Sequence, residues 1–358
     1  MNITKISMFF NIKGTILEAR QIKTGHINRT YIVKTKDGNK NCAYIVQRIN
    51  KYVFKDPVML MENVQKITDY MKNKYIAMGI NPERLVLNFM KSINGESCLI
   101  DDDGEYWRCY EFVDNSITYN LPETDYLMEN IGVGFGNFHY MLSGFDASLL
   151  TETIKGFHYT KKRIEDLFEA IEKDEFNRAK NVKEAISYYK EKSALASSLC
   201  DTSLPLRVTH NDAKCNNVLF DVKTNKPLAV IDLDTVMPGL MAFDFGDAVR
   251  SACNTCNEDE SNYDKVILDI DKFKCFTKGF MSKVSQITSS EEKESLAIGV
   301  FAIAVELSAR FMTDYLTGDK YFDKDYENHN MVRALSQLAL AKDVEKKLLS
   351  LEKIIKGF

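Results

Sequence analysis

The sequence lacks several features that would assign it to a large class at once. It has no apolar run long enough to cross a bilayer: the best stretch, residues 296–305, ends at Glu306. The first ten residues have no basic segment followed by a long apolar core, so no signal peptide is expected. There is no basic excess either. Lys and Arg number 47 against 51 Asp and Glu, and a net charge of −4 with a pI near 5.9 disfavours a nucleic-acid reader. The eight cysteines are scattered, as in reduced cytosolic proteins. The one CxxC, Cys253 and Cys256, has no second CxxC and no nearby His to complete a zinc pattern. No Pro/Ser-rich linker divides the chain. These absences predict a cytoplasmic protein that binds neither membrane nor nucleic acid.

The composition is that of an ordinary globular protein, with 45% hydrophobic and 27% charged residues. A chain of 358 residues is too long for one small core and predicts two packed lobes.

Residues 206–232 hold the densest chemistry. Residues 207–209 read as the end of a strand. A polar loop follows, carrying His210, Asn211, Asp212, Lys214, Asn216 and Asn217. Residues 218–220 and 228–231 are short apolar strands around a turn at 223–227, a hairpin pattern. Pairing of those strands makes Asn217 and Asp232 cross-strand neighbours, with Cα atoms roughly 4.5–5.5 Å apart. A carboxamide oxygen and a carboxylate at that spacing suit a hard divalent cation such as Mg²⁺. Asp212 is then placed to touch what the cation holds. Phosphoryl transfer from ATP asks for this set: metal-bridged phosphates and a carboxylate that orients an attacking hydroxyl.

Upstream, residues 14–50 read as strands. Gly25, Asn28 and Thr30 open one strand of a hairpin turning at residues 36–39, and a glycine there permits close approach of backbone to phosphate. The second strand, residues 43–49, has no Lys to meet the phosphates. Gln47 and Arg48 point to opposite faces, and either is left to take that place. Asp56 and Pro57 start a helix with an apolar stripe at Val58, Met61, Val64, Ile67 and Met71, and Glu62 is either a partner for the strand cation or an exposed surface residue. Residues 85–89 and 106–113 read as further strands. The boundary between an N-lobe, 1–113, and a C-lobe, 114–358, is placed by element order at the segment holding Glu111 and Val113.

From residue 125 the pattern is helical. Gly132, Gly134 and Gly136 follow no strand, so close helix packing accounts for them better than a dinucleotide fingerprint. His139 falls on the same apolar face and is expected to be a buried structural residue. Residues 159–198 predict one or two amphipathic helices. The letters Asp244, Phe245, Gly246 mimic a metal-binding kinase motif, but by position Asp232 has that role, while Asp244 sits at a helix start where a carboxylate caps amides. Asp234 is left as either a metal contact or a hydrogen-bonding group. Glu306 and Arg310 share a helix face after the apolar run. They are either a surface ion pair or polar groups in a buried helix that a polyhydroxylated substrate could satisfy.

The ordered set His210, Asn211, Asp212, Lys214, Asn217 and Asp232 resembles the catalytic and metal-binding segments of aminoglycoside-phosphotransferase-like kinases. The resemblance implies an α+β fold of the protein-kinase type, with an N-lobe antiparallel sheet and helix and a larger, mainly helical C-lobe. It also implies structural support for the loop from His210 and Asp244. By element order the segment holding Glu111 and Val113 takes the place of the interlobe hinge in this resemblance, which implies that its backbone groups take adenine. Within that superfamily, six segments (25–31, 44–50, 53–57, 210–221, 230–239 and 310–322) resemble bacterial N-acetylhexosamine 1-kinases, and the missing strand Lys fits that subgroup. This resemblance implies a monomer that uses ATP and Mg²⁺ to phosphorylate the anomeric hydroxyl of GlcNAc or GalNAc, with His26, Asp212, Phe243, Arg310 and Tyr321 against the sugar. Two alternatives stay open. One is a kinase of the same fold acting on another sugar, an aminoglycoside, choline or homoserine. The other is a nucleotide-binding pseudokinase.

Overall fold

The computed structural model describes residues 2–22 and 27–358. In chain order the elements are α1 (Ile3–Ser7), β1 (Thr15–Ile22), β2 (Arg29–Asp37), β3 (Lys40–Ile49), α2 (Pro57–Ala77), β4 (Phe89–Met90), β5 (Leu99–Ile100), β6 (Tyr106–Glu111), β7 (Ser116–Ile117), α3 (Asp125–Leu142), α4 (Thr160–Lys173), α5 (Lys183–Ala196), β8 (Arg207–Thr209), β9 (Val218–Asp221), β10 (Pro227–Val230), β11 (Met237–Gly239), α6 (Met241–Ala252), α7 (Ile270–Val284), α8 (Ser290–Leu316) and α9 (His329–Lys356). They group into two units. The smaller holds Met1–Ile117, Gly144–Lys155 and Leu219–Pro238, and the larger holds Thr118–Ser143, Gly156–Val218 and Gly239–Phe358.

The smaller unit is built on an antiparallel sheet ordered β1-β2-β3-β6-β4, with β5 also on β6. Gly38 and Asn39 turn β2 into β3, Gly38 at φ 58° where a side chain would be strained. Side chains alternate between faces. Val33, Tyr44, Val46, Trp107 and Cys109 pack with Ile6 and Phe10 on one face. Gln47 and Arg108, cross-strand partners, belong to the other. That face meets α2, whose Met61 sulfur lies 3.9 Å from the Arg108 guanidinium. Asp56 caps α2 through the Met59 amide at 3.0 Å, and Pro57 fixes the first helical residue. Leu60, Met61, Val64, Ile67, Met71 and Tyr75 form the buried stripe, each contributing roughly 1.5–3 kcal/mol by leaving water.

Two sequence expectations are corrected here. Of the expected α2 stripe, Met61, Val64, Ile67 and Met71 are buried, but Val58 is exposed and Leu60 takes the inward place. Glu62 is exposed, the second of the two readings open to it. Residues 85–88 form no strand: Arg84 is left-handed at φ 65°, its side chain bonded to Asp221 and to the Asp114 and Asn115 carbonyls, and the Leu85 amide turns back onto the Pro82 carbonyl. Pairing begins only at Phe89.

The larger unit is mainly helical, and backbone contact between helices sets its packing. A Cβ on Gly132 would stand 2.1 Å from the Phe276 carbonyl oxygen, and one on Gly279 would stand 1.9 Å from that of Glu129, so α3 and α7 touch main chain to main chain. The glycines at 132 and 136 serve helix packing, as the sequence pattern indicates. Residues 159–198 form two helices, α4 and α5, separated where Asp174 adopts a left-handed conformation at φ 35°. A capping box at Ser289 and Glu292 starts α8. By length and composition α8 could cross a membrane, but 78% of its apolar window is buried inside the protein, which marks it as a core helix. Its continuation past Glu306 makes it longer than the apolar run suggests.

Helix propensity favours Ala over Gly by about 1 kcal/mol. At Gly132 or Gly279 that gain is outweighed, because the clash is with backbone. Each Gly→Ala change is expected to destabilise by roughly 1–3 kcal/mol, read as a lower denaturation midpoint. An unchanged or raised midpoint would show that α3 and α7 separate at no cost.

Candidate active site

In the larger unit, β8 ends at Thr209 and the chain turns sharply through Asn211, which has φ 62°. A non-glycine residue holds that conformation only when its surroundings dictate it. The Asp244 carboxylate, in the first turn of α6, accepts the His210 amide at 2.6 Å and the Asn211 amide at 2.7 Å. The Asn211 side chain accepts from the Thr209 hydroxyl at 3.1 Å. Gly239 leaves room for it: a Cβ there would lie 2.3 Å from Thr209 Oγ1 and 2.9 Å from Asn211 Oδ1. His139 is buried and its Nε2 lies 3.0 Å from an Asp244 carboxylate oxygen. Burial works to raise the Asp244 pKa, but His139, His210 and the amide bonds outweigh it and hold the carboxyl below its ordinary value.

The turn delivers Asp212, half-buried. Its amide donates to His210 Nδ1 at 3.2 Å, and its carbonyl accepts from the Lys214 amide at 2.9 Å and Asn217 Nδ2 at 2.8 Å. Lys214 Nζ pairs with the carboxylate at 3.0 Å. Burial works to raise the Asp212 pKa, but Lys214, His210 and Arg250 together hold it below 3.8. Asp212 and Asn217 are thus brought into one loop. With the Asn217 amide nitrogen committed to Asp212, its carbonyl oxygen is the atom left to act as a ligand.

A residue missed by the sequence reading completes this loop. His158 Nε2 lies 2.9 Å from the Asn211 carbonyl, and its Nδ1 lies 2.8 Å from Glu306 Oε1. The Thr160 hydroxyl donates to Glu306 Oε2 at 2.6 Å. Glu306 is therefore a buried polar group, the second of the two readings open to it, and its partners are His158 and Thr160 inside the protein and not a substrate. The one available signal for His158 was rarity, as the chain has only five His.

Rings continue from His158 in a connected row. Phe243 is 5.4 Å away on one side and Phe157 4.6 Å on the other. Arg310 lies over Phe157 at 5.0 Å and over Phe322 at 5.6 Å, and Tyr321 meets Phe322 edge-on at 4.8 Å. Asp314 fixes the loop carrying the last two by accepting the amides of Lys320, Tyr321 and Phe322 at 2.8–2.9 Å. Phe243, Arg310 and Tyr321 thus fall on one chain of contacts, joined through Phe157 and Phe322, which the sequence did not single out. His26 lies outside the described residues.

In the smaller unit, Asp232 is exposed and left-handed at φ 61°. Asp234 is buried and forms an ion pair with Arg108, and Asn28 Nδ2 donates to it at 2.6 Å. Arg108 Nε also donates to Gln47 Oε1 at 2.9 Å, and Gln47 Nε2 to the Thr30 hydroxyl at 3.0 Å. Asn28, Thr30 and Asp234 therefore share one network with Arg108, a cation read as an ordinary strand residue from sequence. Burial works against its charge, but Asp234 outweighs it and the Arg108 pKa is raised, with Asp232 acting in the same sense. Arg48 lies on the opposite face, 3.7 Å from Glu105. At the end of β6 the Glu111 amide donates to the Asn88 carbonyl, and the Val113 carbonyl accepts from the Ser116 hydroxyl at 2.6 Å. Gly25 lies outside the described residues. Among the described residues no cluster of three or more His, Cys, Asp or Glu could hold a metal, and Cys253 and Cys256 are free thiols.

Asp244→Ala removes the acceptor for two buried amides. The expected cost is roughly 1–3 kcal/mol for each unpaired group, seen by chemical denaturation, together with loss of turnover. Wild-type stability in this variant would mean that the loop holds its shape without the carboxylate.

The fold has many solved relatives. An aminoglycoside phosphotransferase from Alicyclobacillus acidocaldarius subsp. acidocaldarius DSM 446 is similar at TM-score 0.62 and 13% identity, over 100% of this chain and 97% of that one. A microcompartment-associated aminopropanol kinase is similar at 0.58 and 13%, over 98% of each chain. A choline kinase from Cryptosporidium parvum Iowa II is similar at 0.57 and 14%, over 95% and 93%. Identities this low establish likeness of fold, a two-lobed protein-kinase-like α+β architecture. Residues 18–265 match the model of the phosphotransferase enzyme family (APH), most of the 358-residue chain, and the protein is a member of that family.

Proposed function

We propose that this phosphotransferase moves the γ-phosphate of ATP to the C1 hydroxyl of an N-acetylhexosamine. The observation that carries this reading is the partly exposed outer end of the row, Phe157, Arg310, Phe322 and Tyr321, which continues from His158 and the buried Phe243 beside the Asp212 loop as aromatic faces edged by polar groups. Such a surface suits a neutral ring with apolar faces and hydroxyl edges. The six sequence segments add the 2-acetamido group and the anomeric position.

The solved relatives named above favour a second reading, an amino alcohol or aminoglycoside acceptor. Charge balance argues against it. The carboxylates around the loop each have a cation of their own: Asp212 has Lys214, Asp247 has Arg250 at 2.9 Å, and Glu306 has His158. Arg163 is close enough to Arg310 that burial and then this like charge lower its pKa. A cationic acceptor beside that pair would meet repulsion.

Asp212 orients the C1 hydroxyl and takes its proton as the oxygen bonds to γ-phosphorus and the bond to the ADP oxygen breaks. We assign Mg²⁺ to Asn217 Oδ1 and Asp232. Both are oxygen donors of the kind a hard cation prefers, and the bound ion supplies charge neutralisation at the phosphates. Asn28, Thr30, Glu111 and Val113, with Gly25, are assigned to the nucleotide; Arg48, on the opposite face of the sheet from Thr30, is not. The Arg108 and Gln47 network holds Asn28 and Thr30 and takes over the structural part of the usual strand Lys. We place the enzyme in the cytoplasm as a monomer.

Phosphorus NMR of products from GlcNAc, GalNAc, glucose, choline and kanamycin tests the acceptor. The expected product is a C1 phosphate of the acetamido sugars, with glucose poor because a site that hydrogen-bonds the acetamido group leaves its own polar groups unpaired when the group is missing. Phosphate on C6, or faster turnover of choline or kanamycin, refutes it and leaves the family assignment standing.

Asp212→Asn is expected to lower kcat by roughly 10²–10⁴-fold with little change in ATP affinity. Full kcat in this variant would reduce Asp212 to a binding residue. Because its pKa is held below 3.8, the carboxylate stays ionised through the neutral range, and the acid loss of kcat that it causes should begin only as pH falls towards that lowered value. Asp232→Ala should abolish turnover and weaken Mg-dependent ATP binding while the fold survives, and a folded variant with near-normal turnover would remove the metal assignment.

A further inference from the structure

We propose that His158, held as an imidazolium between Glu306 and the Asn211 carbonyl, is the positioning residue that sets the Asn211–Asp212 peptide and so aims the Asp212 carboxylate. The proposal rests on the reading of Asp212 as the group that orients the acceptor.

Hydrogen-bond valence places one proton on Nε2 and one in the Nδ1–Glu306 contact, where it belongs to the ring when Glu306 is ionised. A carbonyl oxygen only accepts, so Nε2, 2.9 Å from the Asn211 oxygen, carries a proton. Glu306 takes the Thr160 hydroxyl on Oε2 and faces Nδ1 at 2.8 Å with Oε1, so an ionised Glu306 makes Nδ1 a donor as well. Both ring nitrogens then carry hydrogen, and the pair is a salt bridge whose side chains are 9% and 2% exposed.

The surroundings agree with this state. Burial opposes the His158 charge, but Glu306 from α8, the Asn211 carbonyl and Asp247 from α6 outweigh it and raise the pKa. Burial opposes the Glu306 charge too, and His158, Arg310 and Thr160 outweigh it and lower that pKa. Phe157 and Phe243 cover the ring on its flanks.

The clamp acts where the loop needs it. Asn211 is a left-handed, non-glycine residue, and Asp244 holds the amide on its N-terminal side. His158 holds the carbonyl on its C-terminal side, the one that belongs to the peptide leading into Asp212. With both ends held, rotation of that peptide is blocked, and the direction of the Asp212 side chain follows. A charged donor makes the stronger of such bonds. Once the ring is neutral it cannot donate to both partners.

The sign of the pH effect follows from the raised pKa. The clamp is intact below it and is lost as pH rises through it, so it should impose an alkaline limb on kcat.

The test uses the full-length enzyme and whichever acceptor of the panel is turned over. His158→Gln keeps a neutral donor and cannot titrate. Its kcat should fall roughly 10- to 100-fold, the scale expected for a misplaced catalytic group, with KM for ATP within about twofold of wild type and the alkaline limb gone. Glu306→Gln should move the limb to lower pH, since the partner that holds the proton is weakened, and it serves where His158→Gln fails to fold. Nitrogen-15 NMR of the histidine rings needs no acceptor and should show His158 protonated on both nitrogens at pH 7. A neutral ring at pH 7, or both variants with wild-type kcat and pH profile, overturns the proposal. Full kcat in Asp212→Asn would instead sink the reading on which it rests, so the two failures are separable.

Discussion

The larger unit's chemistry depends on one carboxylate accepting two adjacent amides. Asp244 takes the His210 and Asn211 N–H groups, and the chain between them bends through a left-handed residue that would otherwise be disfavoured. Every other feature of the loop is downstream of that bend. It turns the Asp212 carbonyl towards the Asn217 and Lys214 donors and allows the Thr209 and Asn211 side chains to bond each other beside Gly239. An ionised group buried this deeply is stable only if its lone pairs are filled, and the loop amides fill them. The loop and its brace therefore stabilise each other.

The smaller unit uses the same principle with the charges reversed. Arg108 is a buried cation, satisfied by Asp234 and Gln47 and through Gln47 linked to Thr30. Asn28 ties the start of β2 to the same carboxylate and also accepts the Asn50 amide at 3.0 Å. The pair fixes Asp234, two residues beyond Asp232, against the sheet. Removing either partner would leave a buried charge uncompensated, typically a larger loss than the pair's own net contribution.

Much of this was legible in the residues. The polar loop between apolar strands marked Asp212 and Asn217 because so many hard donors seldom fall on one short turn. The α2 start was readable from Asp56 and Pro57, whose capping chemistry is local, and the β2–β3 hairpin from its Gly38-Asn39 turn. The α2 stripe was readable at Met61, Val64, Ile67 and Met71 but not in the first turn, where Leu60 and not Val58 points inward, since apolar residues on several sides of a helix start do not announce which one meets the core. The strand expected at 85–88 failed because Arg84 makes three distant contacts that hold it left-handed, and no local propensity encodes those.

The sequence by itself determined which residues can do phosphoryl chemistry, the order of the elements and the family to which they belong, because these depend on residue type and short-range spacing. Tertiary structure alone decided which charges meet. His158 and Glu306 are separated by 148 positions, and Arg108 and Asp234 by 126. Either Glu306 or Asp234, read along the chain, could face water, a metal or a substrate. Folding brought each to a cation, and burial at low dielectric made that pairing obligatory.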